Sequence, residues 1–555
     1  MQLKKFSVEN YKVFGEKFSI EFANESIVIL TGRNNTGKST FLEAINQFFL
    51  KPSAKSKIPP ESYYNQDITK EIVLIGEFKC EGQEELITII KKYKNDNGKY
   101  YDLEENEIKR GHSLLEKLEQ MIANAPYYIT PYMSTDDIDD QVQEIYSQVI
   151  VSELEQLEGA EDDNAFKDIQ KAIPELLKAL KSNIDNTLGE VSSEVSGNLK
   201  NLFSNQSLEL EVLGGESKVF SISDIVKSTS STVNVKNRHC KDMPLSNQGT
   251  GMQRMSLIYI IQNMIEKGLM GTDDNKILLI DEPEAFLHPE AVRALSRSLY
   301  TIGLKMPLII STHSPILIDL SENHTTIQVF RVGEDKAINL YQSSQNVFDQ
   351  NDVDNMKILN YVDSYVNEFF FAEKIIIVEG DTEQIALKHF IKEKNVNVHI
   401  IKARGKSTIC TLMKVLNQFN VSYYVLHDID NHTKYELPTI KAQLTNCKKV
   451  YEHKNEHANI YGSISNFEQA IGIGDVSNNK KTETIYNIMN NSDFEAIKTK
   501  IQNLFTFILE LDEEQPSLES GFIKINDTAD YDALFADLLQ GEELTAERAQ
   551  EQVLS

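Results

Sequence analysis

Two separated groups of residues in this 555-residue chain have the types and spacing for phosphate chemistry. The first is Gly32-Arg33-Asn34-Asn35-Thr36-Gly37-Lys38-Ser39, near the N-terminus. The second is a set of carboxylates much later in the chain, Glu379, Glu383, Asp428 and Asp430. The first group has the chemistry to hold ATP, and the second has the chemistry to hold metal ions against a phosphodiester. The sequence therefore predicts nucleotide binding in one part and metal-dependent chemistry in another.

The first group has the complete spacing G-x-x-x-x-G-K-S of a nucleotide-binding loop. An apolar run that predicts a strand precedes it, and a predicted helix from Ser39 through Phe48 follows, which is the context that this motif requires. Backbone N–H groups at such a turn surround phosphates, Lys38 reaches the β- and γ-phosphates, and Ser39 can ligate Mg²⁺. The predicted nucleotide-binding residues of the loop are Gly32, Asn34, Asn35, Thr36, Gly37, Lys38, Ser39 and Thr40.

An apolar segment that ends in two acids is the second nucleotide-binding element. Lys276-Ile-Leu-Leu-Ile280 is followed directly by Asp281 and Glu282. Asp281 can hold Mg²⁺ through water, and Glu282 can orient or deprotonate the attacking water. His313 follows a later apolar run, at the position expected of a histidine that senses the γ-phosphate.

A glycine-rich segment, Ser246-Asn247-Gln248-Gly249-Thr250-Gly251, precedes an apolar helical run. A hydroxyl, glycines and a helix N-terminus form a second place where an anion can bind.

Together these elements resemble the ABC-type ATPases of the repair and chromosome-maintenance group, the RecF/SMC-like class. The resemblance implies that Ser246 and Gly249 complete the ATP site of a second subunit, so that two copies close two sites in a homodimer or a larger even assembly. It also makes Gln66 a candidate for the family's metal-coupling glutamine. This chain has Ser-Asn-Gln-Gly-Thr-Gly where the family usually has Ser-Gly-Gly.

Glu379 and Glu383 lie at a predicted turn from a strand to a helix. Ile375-Ile-Ile-Val378 is a short apolar run typical of a buried strand, and Gly380 allows a sharp turn. Open α/β sheets place their ligands at the carboxyl ends of strands, where Glu379 falls. Glu383 is one helical turn further on, so we expect both carboxylates to face one cleft.

Asp428 and Asp430 end a second predicted strand that begins at Val421. Because side chains alternate along a strand, we expect both aspartates on one face of it. Four hard oxygen donors suit Mg²⁺ or Mn²⁺ better than Zn²⁺. Like charges repel in a low-dielectric site, so four carboxylates packed there without a metal ion are costly.

The run from Phe370 to Glu383 and the later Asp-x-Asp resemble the Toprim domain of topoisomerases, primases and nucleases, and most of all the OLD family (overcoming lysogenization defect) of nucleases. That family joins an ABC ATPase to a C-terminal Toprim domain, often with a helical dimerisation insert, and it includes the nuclease subunit of the Gabija phage-defence system. The resemblance implies a further acid, Glu468, and a lysine, for which Lys481 is preferred to Lys480. Thr482 stands where the family usually has proline. Two metal ions would then clamp the scissile phosphate while the lysine offsets transition-state charge.

The composition excludes a protein that coats polyanions with its whole surface, because the net charge is −28. DNA contact would be confined to basic strips such as Lys402-Ala-Arg404-Gly-Lys406, each of which we expect by itself to be a solvated surface. No apolar run reaches the roughly 18–20 residues of a membrane helix. The cysteines are few and lack paired metal spacing, which predicts a reducing, cytoplasmic location.

The chain as a whole predicts an α/β fold, an ABC-type ATPase domain with a helical insertion followed by a Toprim α/β domain. We expect residues 1–111 and 206–370 to form the ATPase and residues 371–555 to form the Toprim domain with a C-terminal helical tail. Apolar residues recur at helical spacing in the insertion, residues 112–205. The insertion is either a dimerisation arm or a set of plain packing helices.

The leading hypothesis from the sequence is an ATP-binding, metal-dependent DNA endonuclease or nickase, acting in phage defence or DNA processing, with DNA and a helicase-like or other defence protein as partners. Three alternatives stay open: an ATPase scaffold whose Toprim site binds metal without cutting, a Toprim primase or topoisomerase, and a RecF-like repair ATPase.

Overall fold

The computed structural model forms two compact units, residues 1–318 with 326–340, and residues 319–325 with 341–555. Much of the predicted insertion, residues 144–185, and the tail beyond residue 539 lie outside the described residues, and the boundaries at 111, 205 and 370 stay predictions. Among the described residues, no helix is both long and apolar enough to cross a membrane. The structure describes residues 2–22, 27–52, 57–80, 82, 85–94, 97–134, 136–143, 186–202, 208–213, 232–236, 243–267, 276–320, 327–332, 338–342, 348–362, 366–474, 476–511 and 516–539.

The first unit contains fourteen labelled strands and four labelled helices within the described residues, with further helical residues at 136–143 and 186–202. Its elements in chain order are β1 (Gln2–Glu9), β2 (Phe18–Glu21), β3 (Ile27–Gly32), α1 (Lys38–Phe49), β4 (Ile72–Lys79), β5 (Ile87–Tyr93), β6 (Lys99–Tyr101), α2 (Leu115–Ala123), β7 (Tyr127–Ile129), β8 (Glu209–Leu213), β9 (Thr232–Lys236), β10 (Met243–Pro244), α3 (Thr250–Glu266), β11 (Leu278–Asp281), α4 (Pro289–Gly303), β12 (Leu308–Ser311), β13 (Ile327–Val332) and β14 (Ile338–Gln342).

A six-stranded sheet in the order β14-β13-β3-β12-β11-β7 positions the predicted nucleotide residues. The pairs from β13 through β3, β12 and β11 to β7 are all parallel, and Asp281 lies opposite Ser311. The strands β3, β11 and β12 are buried along their whole length, as expected of apolar runs in a parallel sheet. Their carboxyl ends meet at one edge, where the loop before α1 begins.

The second large sheet of this unit, β2-β1-β4-β5-β6, is antiparallel. Helix α1 contacts strands of both sheets, β1 and β4 in one and β11 and β12 in the other. Phe6 packs edge-on against Phe41 and Phe48 of α1, with ring centroids 5.5 and 5.6 Å apart. The helix that carries Lys38 and Ser39 is therefore fixed by an aromatic core. The strands β8, β9 and β10 form a separate small antiparallel sheet.

The second unit contains a five-stranded sheet in the order β16-β15-β17-β18-β19, parallel except at β19. Its hydrophobic core lies between this sheet and four of the helices, α6, α9, α10 and α11. The carboxyl ends of β15, β17 and β18 lie together, which brings Glu379 and Asp428 to one edge. The elements are α5 (Gln350–Val362), β15 (Ile375–Val378), α6 (Asp381–Lys394), β16 (His399–Lys402), α7 (Lys406–Gln418), β17 (Tyr423–Asp428), α8 (Leu437–Glu452), β18 (Ala458–Ser463), α9 (Phe467–Ile471), α10 (Lys481–Asn490), α11 (Glu495–Ile508) and β19 (Phe522–Ile525).

A buried lysine of β5 caps the C-terminal end of α1. The ammonium of Lys91 donates to the carbonyl oxygens of Gln47 (2.8 Å) and Leu50 (2.6 Å). It also lies over the rings of Tyr93 and Tyr100, 5.2 and 4.9 Å from their centroids. The last carbonyl groups of a helix have no partner inside the helix, so these contacts satisfy them. Burial lowers the pKa of Lys91 to about 7.

We expect Lys91 to make the stability of the fold rise with pH. Its pKa of about 7 in the folded chain lies below the ordinary value of 10.5, so between these two pH values the unfolded chain binds one proton more. The free energy of unfolding then increases by up to about 1.4 kcal/mol per pH unit. Urea unfolding of the wild type and of Lys91→Met is measured at neutral pH and at about pH 9. The free energy of unfolding of the wild type should rise relative to that of the variant as the pH rises.

The matched control for this experiment is Lys92→Met, whose ammonium pairs at the surface with Glu105. This variant should keep the pH dependence of the wild type. A stability difference between the wild type and Lys91→Met that does not change with pH would contradict the prediction.

Candidate functional site

The loop before α1 curls around the side chain of Lys38. The Lys38 ammonium donates to the carbonyl oxygens of Gly32 (3.0 Å) and Arg33 (2.7 Å) and to Thr36 Oγ1 (3.3 Å). Burial lowers the pKa of Lys38 to about 8. Gly32 has φ 127°, and a Cβ atom there would collide with the carbonyl oxygen of Phe330, so this position requires glycine.

The rest of the loop leads into the first turn of α1. Asn34 and Asn35 are exposed, and Asn35 has a left-handed backbone with φ 61°. Gly37, with φ 93°, directly precedes α1, and Ser39 and Thr40 are half-buried in its first turn. The predicted loop positions therefore all lie at one strand-to-helix turn, the kind of turn whose backbone N–H groups can surround a phosphate.

Asp281, at the carboxyl end of β11, is joined to this loop by hydrogen bonds. Its Oδ1 atom accepts from the hydroxyl of Ser39 (2.9 Å) and from the hydroxyl of Ser311 at the end of β12. Burial raises the pKa of Asp281, and the two hydroxyl donors act in the opposite direction. A carboxylate and a hydroxyl placed together in this way are the oxygen ligands that Mg²⁺ prefers.

Glu282 and His313 face each other beside Asp281. The distance from His313 Nε2 to Glu282 Oε1 is 3.7 Å, and Glu282 has a left-handed backbone with φ 46°. Burial, together with the charge of Lys38, lowers the pKa of His313 to about 4, so its ring is neutral at neutral pH. Burial, together with Asp281, raises the pKa of Glu282. The structure thus brings together Asp281, Glu282 and His313.

Glu284 belongs to the same group, although the sequence did not lead us to predict it. It is half-buried, and its Oε1 atom accepts from the hydroxyl of Thr312 (2.7 Å) and from the backbone N–H of His313 (2.8 Å). Burial raises its pKa. The signal that could have identified it is a second acid two residues after Glu282, in Asp-Glu-Pro-Glu.

Arg254 is a second residue that the sequence did not lead us to predict. This buried side chain of α3 donates to the backbone carbonyl oxygens of Asp281 (2.7 Å), Glu282 (2.7 Å) and Ala285 (3.3 Å). Burial lowers its pKa to about 10, which still leaves it charged at neutral pH. Arg254 therefore fixes α3 to the segment that carries the acids.

Ser246 and Gly249 lie at the start of α3. Ser246 is in the short turn Leu245–Asn247, and Gly249 directly precedes the helix. The side-chain amide of Gln253 donates to the carbonyl oxygen of Ser246 (2.8 Å), which fixes the turn on the helix. Within the described residues, no hydrogen bond joins Ser246 or Gly249 to the Lys38 loop. Gln66 is exposed in another short turn, Tyr64–Gln66.

Glu379 and Asp428 lie side by side at the ends of β15 and β17. The backbone N–H of Asp428 donates to Glu379 Oε2 (3.0 Å). The Lys406 ammonium is 3.5 Å from Glu379 Oε2 and donates to Asp430 Oδ2 (2.5 Å). Burial raises the pKa of Glu379, with Lys406 acting in the opposite direction. Burial alone lowers the pKa of Lys406, but Glu379 and Asp430 outweigh it and raise this pKa above its ordinary value.

The expectation of a solvated basic strip at 402–406 is therefore wrong at Lys406. This side chain is 6% exposed and lies among the carboxylates. Lys402 instead pairs with Asp381 (2.5 Å), and Arg404 is exposed. Lys406 is thus a third site residue that the sequence analysis missed.

The expected strand ending in Asp-x-Asp is also wrong, because β17 ends at Asp428. Asp430 has a left-handed backbone with φ 59°, and its N–H donates to the carbonyl oxygen of Ser465 (2.8 Å). The chain turns away from the sheet after Asp428, and this turn positions Asp430. Asp428 and Asp430 do lie in the same group of carboxylates, but the turn after Asp428 places them there and not the alternation of side chains along a strand.

Glu383 and Glu468 are almost fully buried. Burial raises the pKa of Glu383 to about 7, and the charges of Glu379 and Glu468 add to this. Burial, with Glu383 and Glu379 as neighbours, also raises the pKa of Asp428 well above its ordinary value. The structure therefore brings all five predicted carboxylates together: Glu379, Glu383, Asp428, Asp430 and Glu468.

Lys481, the first residue of α10, donates to Glu468 Oε2 (2.9 Å). Burial lowers the pKa of Lys481, but the hydrogen bond and charge of Glu468 outweigh burial and the pKa is raised. Lys480 is exposed in the preceding turn. The geometry thus favours Lys481 over Lys480 as the lysine of this group.

The carboxylate group fits a divalent cation in its chemistry. Asp428 Oδ1 and Glu468 Oε1 are buried and have no hydrogen-bond partner among the described residues, and neither has Ser463 Oγ at the end of β18. Buried carboxylate oxygens normally accept hydrogen bonds or bind a cation. However, no three His, Cys, Asp or Glu side chains of the described ranges are already arranged as a metal-ligand set. Mg²⁺ can also be held by one or two carboxylates when water or substrate oxygens complete its ligands.

Comparisons with known proteins agree with the division of the chain into a nucleotide-binding part and a part that contains the carboxylate group. Residues 27–319 match the family described as "AAA domain, putative AbiEii toxin, Type IV TA system". Residues 370–430 match the family described as "Overcoming lysogenization defect protein-like, TOPRIM domain".

Three curated relatives span much of the chain. It is 22% identical to the OLD nuclease of Thermus scotoductus over 77% of this chain and 82% of that protein. It is 25% identical to the Old nuclease of Escherichia phage P2, over 63% of this chain and 58% of that protein. It is 22% identical to the endonuclease GajA of Bacillus cereus, over 78% of this chain and 76% of that protein.

The predicted fold class, an ATPase domain followed by a Toprim α/β domain, is confirmed by these matches, which imply the use of a nucleotide and a divalent metal ion. The first match spans more than half of the chain. The chain belongs to the AAA-domain family that this match describes, and it joins to that domain an OLD-like TOPRIM domain.

Proposed function

We propose that this chain is an ATP-binding, divalent-metal-dependent DNA endonuclease or nickase. The observation that supports this most directly is the group of five carboxylates at one sheet edge, in which two buried oxygen atoms have no hydrogen-bond partner within the described ranges. Lys481 adds a positive charge beside Glu468. The names of the relatives, OLD nuclease and endonuclease GajA, support the same activity.

The five carboxylates would hold Mg²⁺ or Mn²⁺. A divalent ion bound there lowers the pKa of water and offsets the charge of a phosphodiester. Lys481 is about one-quarter exposed, so its ammonium can contact a phosphodiester oxygen and offset the negative charge that develops on it. The backbone N–H of Asp428 donates to the Glu379 carboxylate, which keeps the Glu379 side chain next to Asp428.

In the first unit, the Lys38 loop would bind the phosphates of ATP, with Ser39 and Asp281 as the Mg²⁺ ligands. Glu282 would orient the attacking water, and the neutral His313 ring would contact the γ-phosphate. Glu284 acts through His313, because it accepts the backbone N–H of His313 and the hydroxyl of Thr312. Glu284 is therefore a positioning residue in this proposal.

The assembly that we propose is a homodimer or a larger even oligomer, in which Ser246 and Gly249 complete the nucleotide site of a second copy. Their lack of a hydrogen bond to the Lys38 loop in the described part of the chain supports this arrangement. Residues 112–205 would contribute to dimerisation. We further propose a cytoplasmic role in phage defence with a helicase-like or other defence partner, which the similarity to GajA supports.

A second candidate function is an ATPase scaffold whose Toprim site binds metal without cutting DNA. The observation that favours it is that no three of the described His, Cys, Asp or Glu side chains already form a ligand set. The cleavage experiment below separates the two functions.

Nicking of supercoiled plasmid with Mg²⁺ or Mn²⁺ tests the nuclease. We expect Glu379→Ala to lower the cleavage rate by more than about 100-fold, because even residues that only orient a metal ligand cost about 10–100-fold. The matched control is Asp381→Asn, whose exposed carboxylate lies between Glu379 and Glu383 in sequence and pairs with Lys402. It should cleave at nearly the wild-type rate. Each reaction is run with ATP, with ADP and without nucleotide, and no cleavage by the wild type under any condition would favour the scaffold.

Lys38→Ala and Glu282→Gln test the nucleotide site. The first removes the ammonium that would contact the phosphates and should abolish ATP binding, whereas the second should bind ATP and slow its hydrolysis. Equilibrium binding of a fluorescent ATP analogue and phosphate release measure the two effects. Lys51→Ala, an exposed lysine just beyond α1, is the control. Wild-type hydrolysis by both site variants would overturn the assignment.

Glu284→Ala tests the proposed positioning of His313. The change leaves the His313 N–H and the Thr312 hydroxyl without their acceptor, so we expect ATP hydrolysis to fall by about ten-fold or more while ATP binding changes less. Glu284→Gln keeps an acceptor oxygen and should recover most of the rate. Glu290→Ala, an exposed acid in the first turn of α4, is the control. Equal losses in Glu284→Ala and Glu284→Gln would contradict this positioning role.

A further inference from the structure

Lys406 occupies a position that is unfavourable for a lysine in two respects. It is 6% exposed, and it is the first residue of α7, where the helix dipole repels a positive charge. Gly405, with φ 135°, makes the sharp turn into the helix. The backbone N–H groups of Ala403 and Arg404 donate to the carbonyl oxygens of Val378 (2.9 Å) and Glu379 (3.0 Å). The turn is therefore fastened to the end of β15 and delivers the ammonium to the carboxylates.

The contacts of Lys406 explain why the position is tolerated. Its ammonium is 2.5 Å from Asp430 Oδ2 and 3.5 Å from Glu379 Oε2. Both acids belong to the set that would hold divalent ions. Lys402, four residues earlier, pairs instead with Asp381, an exposed acid outside this set.

We propose that Lys406 is a built-in counter-cation that holds Glu379 and Asp430 together and competes with a divalent metal ion for their oxygen atoms. It is a positioning residue, because it would act on the reaction through these carboxylates. The inference deepens the proposed function by assigning the control of metal affinity to one side chain.

Two consequences follow from the charge of the group. Without Lys406, the repulsion between the carboxylates is less compensated, so the metal-free protein should be less stable. A divalent ion would no longer compete with an ammonium close to its ligands, so it should bind more tightly. The same substitution is thus expected to weaken the fold and strengthen metal binding, a combination that loss of packing alone does not produce.

The test uses the full chain without nucleotide and without DNA. Isothermal titration with Mn²⁺ should give a dissociation constant for Lys406→Met at least about ten-fold lower than for the wild type. Thermal unfolding in EDTA should begin at a lower temperature for Lys406→Met, and saturating Mn²⁺ should remove most of the difference. Lys406→Arg keeps the charge and should resemble the wild type in EDTA, and Lys402→Met is the matched lysine control with wild-type affinity.

Unchanged Mn²⁺ affinity together with unchanged stability in EDTA would overturn the proposal, as would weaker Mn²⁺ binding by Lys406→Met. If Lys406→Met does not fold in EDTA but folds with Mn²⁺, the proposal is supported, because the metal then replaces the lost charge. If neither Lys406→Met nor Lys406→Gln folds even with Mn²⁺, the proposal is rejected. These measurements do not use DNA cleavage, so failure of the nuclease proposal would leave them interpretable.

Discussion

Carboxylates gathered at one edge of a parallel sheet repel each other, and both units contain side chains that offset this repulsion. In the first unit the acids follow β11, and the compensating cations are Lys38 and Arg254. In the second unit the acids follow β15 and β17, and the cations are Lys406 and Lys481. Because the carboxyl ends of parallel strands open onto the same edge, acids that follow neighbouring strands come close together there.

The three lysines among these cations share one position in their helices, and this position brings their positive charges close to the acids. Lys38, Lys406 and Lys481 are each the first residue of a helix, α1, α7 and α10. A positive charge there opposes the helix dipole, so helix formation alone does not favour lysine at this position. The position does bring an ammonium to the place where the connection between a strand and a helix passes the sheet edge. The interaction with carboxylates or loop carbonyl groups therefore outweighs the cost at the helix terminus.

The parts of the site that the sequence could predict are those whose spacing matches a turn. The loop around Lys38 and the pair Glu379 and Glu383 each follow an apolar strand directly, so their positions depend on local geometry alone. Lys406 could not be distinguished in this way from its neighbours Lys402 and Arg404, because only the packing of the turn before α7 against the end of β15 decides which of the three basic residues is buried. Nearby composition gives no information about that packing.

The prediction for Asp430 was wrong because the local periodicity of a strand was extended past the end of that strand. The alternation of β17 suggested that Asp430 continues the strand, but the backbone turns left-handed there, and its N–H bonds to Ser465. A hydrogen bond to a residue 35 positions later in the chain has no local signal. Glu284 is similar, because its role depends on the backbone of His313, which lies on a different strand connection. The confirmed order of the domains, in contrast, needed only motifs that are continuous in sequence.

The placement of the two lysines divides the five carboxylates unequally. Lys406 compensates Glu379 and Asp430, and Lys481 compensates Glu468. In the described part of the chain, Glu383 and Asp428 form no ion pair with a lysine, although the charge of Lys481 acts on both. Their pKa values are raised, that of Glu383 to about 7. If divalent ions bind as we propose, an ion at Glu383 and Asp428 would relieve the repulsion between these two acids, whereas an ion at Glu379 and Asp430 would first require the Lys406 ammonium to move. In the proposed two-metal arrangement, electrostatics would therefore make the ions inequivalent, and the ion nearest Asp428 and Glu383 would bind more readily than the ion that must displace Lys406.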